Sequence, residues 1–326
     1  MFFLIGIFLI QVFLIYNIEN ITNNFNLYDF PKDNRKTHKK PVPLFGGVIL
    51  LPSVFFLLYD QNFFQINDAS IRYFFASFIL IFSIITIGIF DDLHDFDNKK
   101  RIILLFLTVF LITLSSPNIF EIKRLSISFY ENDINTNYLK LILFPLGYIV
   151  LSTILNLIDG KNCILLGCFI MIFFIFNGLN FSIGFAYIFL SCLILLFLNF
   201  KNKVFMGSLG VNLITLVISF QILDLNLTKE LYLDKIFILF ILPFFDAIYL
   251  LFYRLIKNQN PFKGDLNHFH HELINKFEFI NDKNCFLFYN LILIIPFIIY
   301  SVFSNFLISI IFFIIIYFFI RRFKNV

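Results

Sequence analysis

Eleven apolar runs of roughly 15 to 20 residues, near 2–16, 44–59, 73–90, 102–118, 139–155, 164–178, 181–199, 209–225, 235–253, 284–302 and 306–320, dominate this chain. A helix rises 1.5 Å per residue, so each run is about long enough to cross the hydrocarbon of a bilayer. Inside lipid every backbone N–H and C=O must be satisfied internally, and these runs are too long and too continuously apolar for barrel strands. With 60% hydrophobic and only 14% charged residues, the chain of 326 residues lacks the polar surface of a water-soluble protein. The expected fold is all-α: a polytopic integral membrane protein of about 10–11 transmembrane helices, forming one domain over 1–326. Met1 to Tyr16 has no basic start and no small-residue cleavage site, so a retained first span is expected rather than a signal peptide.

Threading the chain alternately across the bilayer puts 17–43, 91–101, 156–163, 200–208, 254–283 and 321–326 on one side. These segments hold 19 of the 25 Lys and Arg residues. Basic residues mark the cytoplasmic face, so the amino terminus is expected outside and the carboxyl terminus inside. All five histidines fall on the same cytoplasmic side, as do Asp91, Asp92, Asp159 and Asp265. The four cysteines form no C-x-x-C pair and give no support for a disulfide framework or a thiolate metal site.

The cytoplasmic segments carry the chemistry. Gly88-Ile89-Phe90-Asp91-Asp92-Leu93-His94-Asp95 sets three carboxylates where an apolar run ends. Ionised groups are costly near hydrocarbon, and adjacent carboxylates must share a proton or a cation. If the helix continues past Phe90, Asp91 and Asp95 share a face. Such a cluster could hold a divalent ion and orient a phosphate; salt bridges to Lys99, Lys100 and Arg101 are the plain alternative. Upstream, Lys36, His38 and their basic neighbours precede Pro41-Val42-Pro43-Leu44-Phe45-Gly46-Gly47. Basic groups beside a membrane attract phosphates or headgroups, and paired glycines let backbone approach a neighbour or ligand.

Asn156-Leu157-Ile158-Asp159-Gly160 joins two spans, and turn chemistry alone would explain it nearly as well. Phe205-Met206-Gly207-Ser208-Leu209-Gly210 is a glycine-flanked helix start, suited to phosphate. The richest segment holds Asp246, Arg254 and Asp265-Leu266-Asn267-His268-Phe269-His270-His271. On a helix Asp265, His268 and His271 would line one face. Imidazoles there can bind phosphate, ligate metal or move protons. A zinc site is the rival, but no H-E-x-x-H pattern or cysteine accompanies it.

In this order and on one membrane face, these motifs resemble the polyprenyl-phosphate N-acetylhexosamine-1-phosphate transferase family, over about Arg35 to Leu273. The resemblance implies a cytoplasmic active site in which Mg2+ bridges a UDP-N-acetylhexosamine and a polyprenyl phosphate. Sugar-1-phosphate then passes to the lipid and UMP leaves, as a first membrane step of cell-surface polysaccharide synthesis. It implies Asp91, Asp92, Asp159 and His268 as catalytic. Lys36, His38, Asn156, Arg254, Asp265, His270 and His271 would bind substrate. Asp91, Asp92 and Asp159 would hold the metal together with position 208. The Asp-x-x-His-x-His-His loop looks more like the N-acetylglucosamine-type branch. The setting implied is a bacterial inner membrane, with no nucleic-acid partner; a homodimer is compatible with it.

Two departures stand out. Where the family usually reads Asp-Gly-x-Asp-Gly, this chain has Asp159-Gly160-Lys161-Asn162-Cys163. Where it usually reads Phe-Met-Gly-Asp, Ser208 replaces the metal-binding Asp. A hydroxyl is a weaker magnesium ligand than a carboxylate. Two rival readings follow: a catalytically silent paralogue that still binds lipid or nucleotide, and a transporter. The transporter ranks last, because its ionisable groups should sit at mid-bilayer.

Overall fold

The computed structural model describes residues 2–31, 40–60, 70–122, 124–160, 162–178, 182–227, 232–260 and 267–322. In chain order these form α1 (Phe2–Tyr16), α2 (Ile18–Phe25), β1 (Tyr28–Asp29), β2 (Val42–Pro43), α3 (Gly46–Asp60), α4 (Ser70–His94) and α5 (Asn98–Ser115). There follow α6 (Pro117–Phe120), β3 (Arg124–Ile127), β4 (Tyr130–Asn135), α7 (Lys140–Ile158), α8 (Ile164–Asn177), α9 (Ile183–Phe200) and α10 (Gly207–Leu227). The chain closes with α11 (Leu233–Leu239), α12 (Ile241–Ile256), α13 (Phe269–Lys276), α14 (Cys285–Phe303) and α15 (Phe306–Arg322). Two short antiparallel pairs, β1–β2 and β3–β4, are added to an otherwise helical molecule.

Among the described residues each of the eleven apolar runs lies largely on helix. Five helices meet the length and composition needed to cross a membrane alone, and seven spans result if each bent pair counts as one. The remaining runs fall short for visible reasons. Helices α3, α8 and α15 have 15, 14 and 17 residues, and α5 opens on Asn98-Lys99-Lys100-Arg101. The run 235–253 is broken: α11 and α12 meet at 71°. Pro243 explains the break, because it has no N–H to give the carbonyl of Leu239, the last residue of α11.

Helix α10 is the axis of the bundle. Of its Gly207–Asp224 stretch 83% is buried, against 28–44% for the other long apolar helices. It packs on α3, α4 and α7. Polar groups tie it in place: Ser152 Oγ donates to Asn212 Oδ1 at 3.1 Å, and Tyr148 Oη to the Asn212 carbonyl at 3.3 Å. Away from α10, Gln11 of α1 donates to the Ile49 carbonyl and accepts from Tyr187 and Ser191, which joins α1, α3 and α9. At the far end Asp234 accepts from Ser128 N (2.9 Å), Ser128 Oγ (2.6 Å) and Tyr300 Oη (2.9 Å), so the β3–β4 turn is latched to α11 and α14.

The glycines of the first and fourth motifs belong to one joint. Gly46 N and Gly47 N donate to the carbonyls of Phe205 and Met206, and Phe205 N returns a bond to Pro43 O. A Cβ on Gly47 would stand 2.5 Å from Gly210 N, and one on Gly88 would stand 2.7 Å from Leu209 Cα. The paired glycines therefore serve a neighbouring backbone. Gly47→Ala should destabilise the detergent-solubilised protein by about 1–3 kcal/mol, an overpacking cost. Gly147→Ala, which meets nothing within 4 Å, should leave the thermal midpoint near wild type. Equal midpoints for the two variants would disprove the close joint.

Candidate active site

Helix α4 continues past Phe90 to His94, and Asp95 then leaves it at φ 50°. The last turn thereby aims its two aspartates differently. Asp92 reaches the start of α10, where it accepts from Ser208 N at 2.6 Å and Leu209 N at 3.1 Å. Those N–H groups have no intrahelical acceptor, so Asp92 satisfies the first turn of a buried helix and its charge suits the positive end of the dipole. Gly207, at φ +69°, makes the approach feasible: a Cβ there would lie 2.7 Å from Asp92 Oδ2.

Asp91 is buried and turned elsewhere. Its Oδ1 accepts from Phe96 N at 3.0 Å, and its Oδ2 faces Arg101 Nη1 at 3.5 Å. The same guanidinium group donates to Asn156 Oδ1 at 3.3 Å and Asn98 Oδ1 at 3.0 Å. Arg101 therefore links the second motif to the third, as the salt-bridge alternative anticipated for one of the three basic residues.

Asp159 follows directly after α7. Burial first, then the charges of Asp92 and Asp29, hold its carboxyl well above the ordinary carboxylate range. Like charges gathered in a partly dry place are the condition that a shared cation relieves. Among the described residues no three His, Cys, Asp or Glu groups converge as a metal cage. Magnesium seldom uses one; it is typically held by one or two carboxylates and completed by substrate phosphates and water. Asp92 and Asp159 fit that donor set. Asp29 was absent from the sequence reading. It stands in β1 opposite Val42, and its charge reaches Asp159.

The third motif continues into a tight turn. Asn162 Nδ2 donates to the Asn199 carbonyl at 3.0 Å and to Asn202, and Cys163 N donates to Asn199 Oδ1. Cys163 lies at φ 68°, left-handed backbone that a glycine adopts without a steric cost. The turn thus keeps the shape expected of the Gly that Cys163 replaces. Asn162 supplies amide donors that an Asp could not.

The histidine loop departs from expectation. Helix α13 begins at Phe269, and His268 is its extended N-cap, so His268 and His271 do not share a helical face. The rings cluster all the same. His268 and His270 stack with centroids 5.7 Å apart and planes 4° apart, and His270 and His271 are 4.4 Å apart. A methyl group on Gly160 would stand 3.4 Å from His270 Nε2, so the loop lies against the Asp159-Gly160 turn. His268 Nδ1 is 3.1 Å from Asp246 Oδ2. Arg254 is buried further along α12. Lys36, His38 and Asp265 lie outside the described residues.

An apolar cavity of about 600 Å³ opens between α7, α10, α11 and the β3–β4 hairpin, lined among others by Leu143, Tyr148, Ile154, Leu223, Phe237 and Phe244. Along α7 it runs from Leu143 to Ile154, roughly 16 Å at the helical rise, and ends about 8 Å of helix short of Asp159.

Comparison with known proteins agrees with this geometry. Residues 74–226, which include Asp91, Asp92, Asn156, Asp159 and Ser208, match Glycosyl transferase family 4. The undecaprenyl-phosphate alpha-N-acetylglucosaminyl 1-phosphate transferase of Salmonella typhi is 23% identical over 302 residues, covering 82% of this chain and 74% of that protein. Proteins of the same name from Escherichia coli (strain K12) and Yersinia pestis are each 24% identical, covering 82% of this chain and 74% and 75% of their own lengths. With its motifs and its helical membrane architecture, the chain is similar over this stretch to glycosyl transferase family 4, and the likeness supports a phospho-sugar transferase.

Proposed function

We propose that the chain transfers a sugar-1-phosphate from a UDP-N-acetylhexosamine, of the N-acetylglucosamine type, to undecaprenyl or a related polyprenyl phosphate, releasing UMP. The observation that carries this reading is the meeting of Asp92, Asp159 and the His268–His271 loop at one end of the bundle, beside an apolar cavity fit for an isoprenoid chain. An oxygen of the lipid phosphate attacks the sugar-linked phosphorus. The bond from that phosphorus to the bridging oxygen breaks, and UMP leaves with the electron pair.

Phosphoryl transfer asks chiefly for alignment and charge neutralisation. Asp92 and Asp159 would hold a magnesium ion, with substrate oxygens completing its shell; the ion supplies positive charge to the diphosphate. Asp91, through Arg101, holds Asn156 beside the nucleotide. His268, His270 and His271 orient the diphosphate oxygens. Arg254, Lys36, His38 and Asp265 add polar contacts for substrate. The site faces the cytoplasm of a bacterial inner membrane, with the amino terminus outside, a reading supported by the Lys and Arg distribution.

The silent, ligand-binding reading is favoured by Ser208 and by the Asn162-Cys163 pair, which have replaced acidic and glycine positions of the family pattern. The deciding assay is polyprenyl-phosphate-dependent UMP release from membranes supplied with several UDP-N-acetylhexosamines. Wild-type release with one donor supports the transferase; absence of release with all donors, in correctly inserted protein, supports the silent reading. Asp92→Asn should reduce turnover by about 10²-fold or more, given the charge it removes.

The Asp159 carboxyl gives a pH prediction. A carboxyl whose folded value lies above its unfolded one holds its proton more tightly in the native state. Stability therefore falls as pH rises from the unfolded value towards the folded one, and stays reduced above it. Asp159→Asn should have the higher thermal midpoint at pH 8, with the two midpoints converging towards pH 4. Millimolar magnesium should raise the wild-type midpoint at pH 8 and leave Asp159→Asn nearly unmoved. A wild-type midpoint indifferent to magnesium would count against the carboxylate pair as a cation site.

Ser208→Asp sets a carboxylate beside Asp92. It should lower the magnesium concentration for half-maximal turnover and reduce stability when the ion is withheld. An unchanged magnesium requirement in an active variant would mean that position 208 is no metal ligand here.

A further inference from the structure

Asp246 and Arg321 form a buried charge network that the transfer chemistry above leaves unused. Asp246, in α12, is 5% exposed. Its Oδ1 accepts from Arg321 Nη2 at 2.5 Å and from Tyr317 Oη at 3.2 Å; Phe269 N reaches both oxygens at 3.2 Å, and His268 Nδ1 faces Oδ2 at 3.1 Å. Arg321 comes from the last turn of α15 and also donates to Glu272 Oε1 at 2.5 Å, to the Asn267 carbonyl at 3.2 Å and, through Nε, to Tyr317 Oη at 3.0 Å. Its guanidinium lies 4.1 Å from the centre of the Tyr249 ring. Lys276 completes the set, pairing with Glu272 at 2.9 Å and donating to the carbonyls of Ile320 and Arg321. Two carboxylates and two cations thus close around the base of the histidine loop.

Burying an arginine and an aspartate this deeply is costly unless every charge is paired, and a surface anchor at a membrane boundary needs no such network. Within the histidine loop the network reaches the ring of His268. A carboxylate that accepts from a guanidinium, a hydroxyl and an amide has no proton to give, so the hydrogen between it and His268 belongs to Nδ1. We propose that Asp246 and Arg321 are positioning residues for His268: Asp246 fixes the Nδ1–H tautomer and leaves the Nε2 lone pair to accept a P–O–H hydrogen of the substrate, while Arg321 holds Asp246 and the loop in register from the final helix. The stack of His268 on His270, with His270 against Gly160, carries that orientation to the Asp159 turn. The inference rests on the transferase reading for the role of His268, and on the geometry alone for its tautomer.

The test separates the two. Full-length protein with ¹⁵N-labelled histidine, in lipid nanodiscs at pH 8.5, is compared with Asp246→Asn, Arg321→Lys and Arg321→Gln; the His268 signals are those lost in His268→Gln. Wild type should show His268 as the Nδ1–H tautomer, and Asp246→Asn should shift it towards Nε2–H. In turnover, Asp246→Asn should lower kcat by about 10²-fold or more while changing KM less than about threefold. Arg321→Lys should recover more of kcat than Arg321→Gln does. If Arg321→Gln fails to fold, Arg321→Lys against wild type carries the comparison. An Nε2–H tautomer in the wild type, or an unchanged tautomer and kcat in Asp246→Asn, overturns the proposal. A wild type that releases no UMP overturns the transferase reading, and the tautomer comparison still decides the pairing.

Discussion

The bond from the first N–H groups of α10 to the carboxylate of Asp92 sets the terms for everything around it. A helix sunk in the middle of a bundle exposes unsatisfied donors at its start, and each such donor left unpaired in a dry interior costs about 1–3 kcal/mol. Asp92 supplies the acceptor from a neighbouring helix rather than from a local cap. The same bonds tie the end of α4 to the start of α10, and the glycine joint then ties α3 to both. A carboxylate so placed also presents its charge to whatever approaches that end of the bundle. Structure and chemistry draw on the same two oxygens.

Around that bond the motifs divide their work. Asp91 and Arg101 bridge the second motif to Asn156 in the third. Asp159 brings a second carboxyl into the field of Asp92, and Gly160 gives His270 room to pack beside it. Each motif is short and weak alone, and the contacts explain why they occur together. A change in one alters the footing of the next, which also gives Ser208, Asn162 and Cys163 their interest. Cys163 keeps the left-handed turn of the residue it replaces, and the Asn162 amide anchors that turn to the end of α9.

Much of this was legible in the sequence because the membrane is a stringent solvent. Long apolar runs have few alternatives to helix, and among the described residues all eleven lie largely on helix. The ends and breaks were less legible. The bend at Phe240 depends on Pro243, whose effect is local and does not interrupt the apolar pattern. The start of α13 one residue after His268 shows the same limit, since a loop of alternating rings carries no clear period. Asp29 and Arg321 were missed for a different reason. Asp29 sits in a polar stretch like any other, and its strand is only two residues long. Arg321 reads as an ordinary basic anchor beside the membrane, and its partner Asp246 is 75 residues away. Pairings of that reach leave no trace in spacing.

The broken helix has a mechanical consequence. Asp234, just before the bend, is fastened to Ser128 and Tyr300 at one end of the bundle; Asp246, just after it, is fastened to Arg321 and His268 at the other. The elbow between them is therefore a lever clamped at both arms. Straightening it would tear at least one clamp, so the wall of the apolar cavity holds its angle whether or not a chain fills it. For a long apolar chain entering such a slot, the entropy lost on capture would fall on the guest rather than on the host.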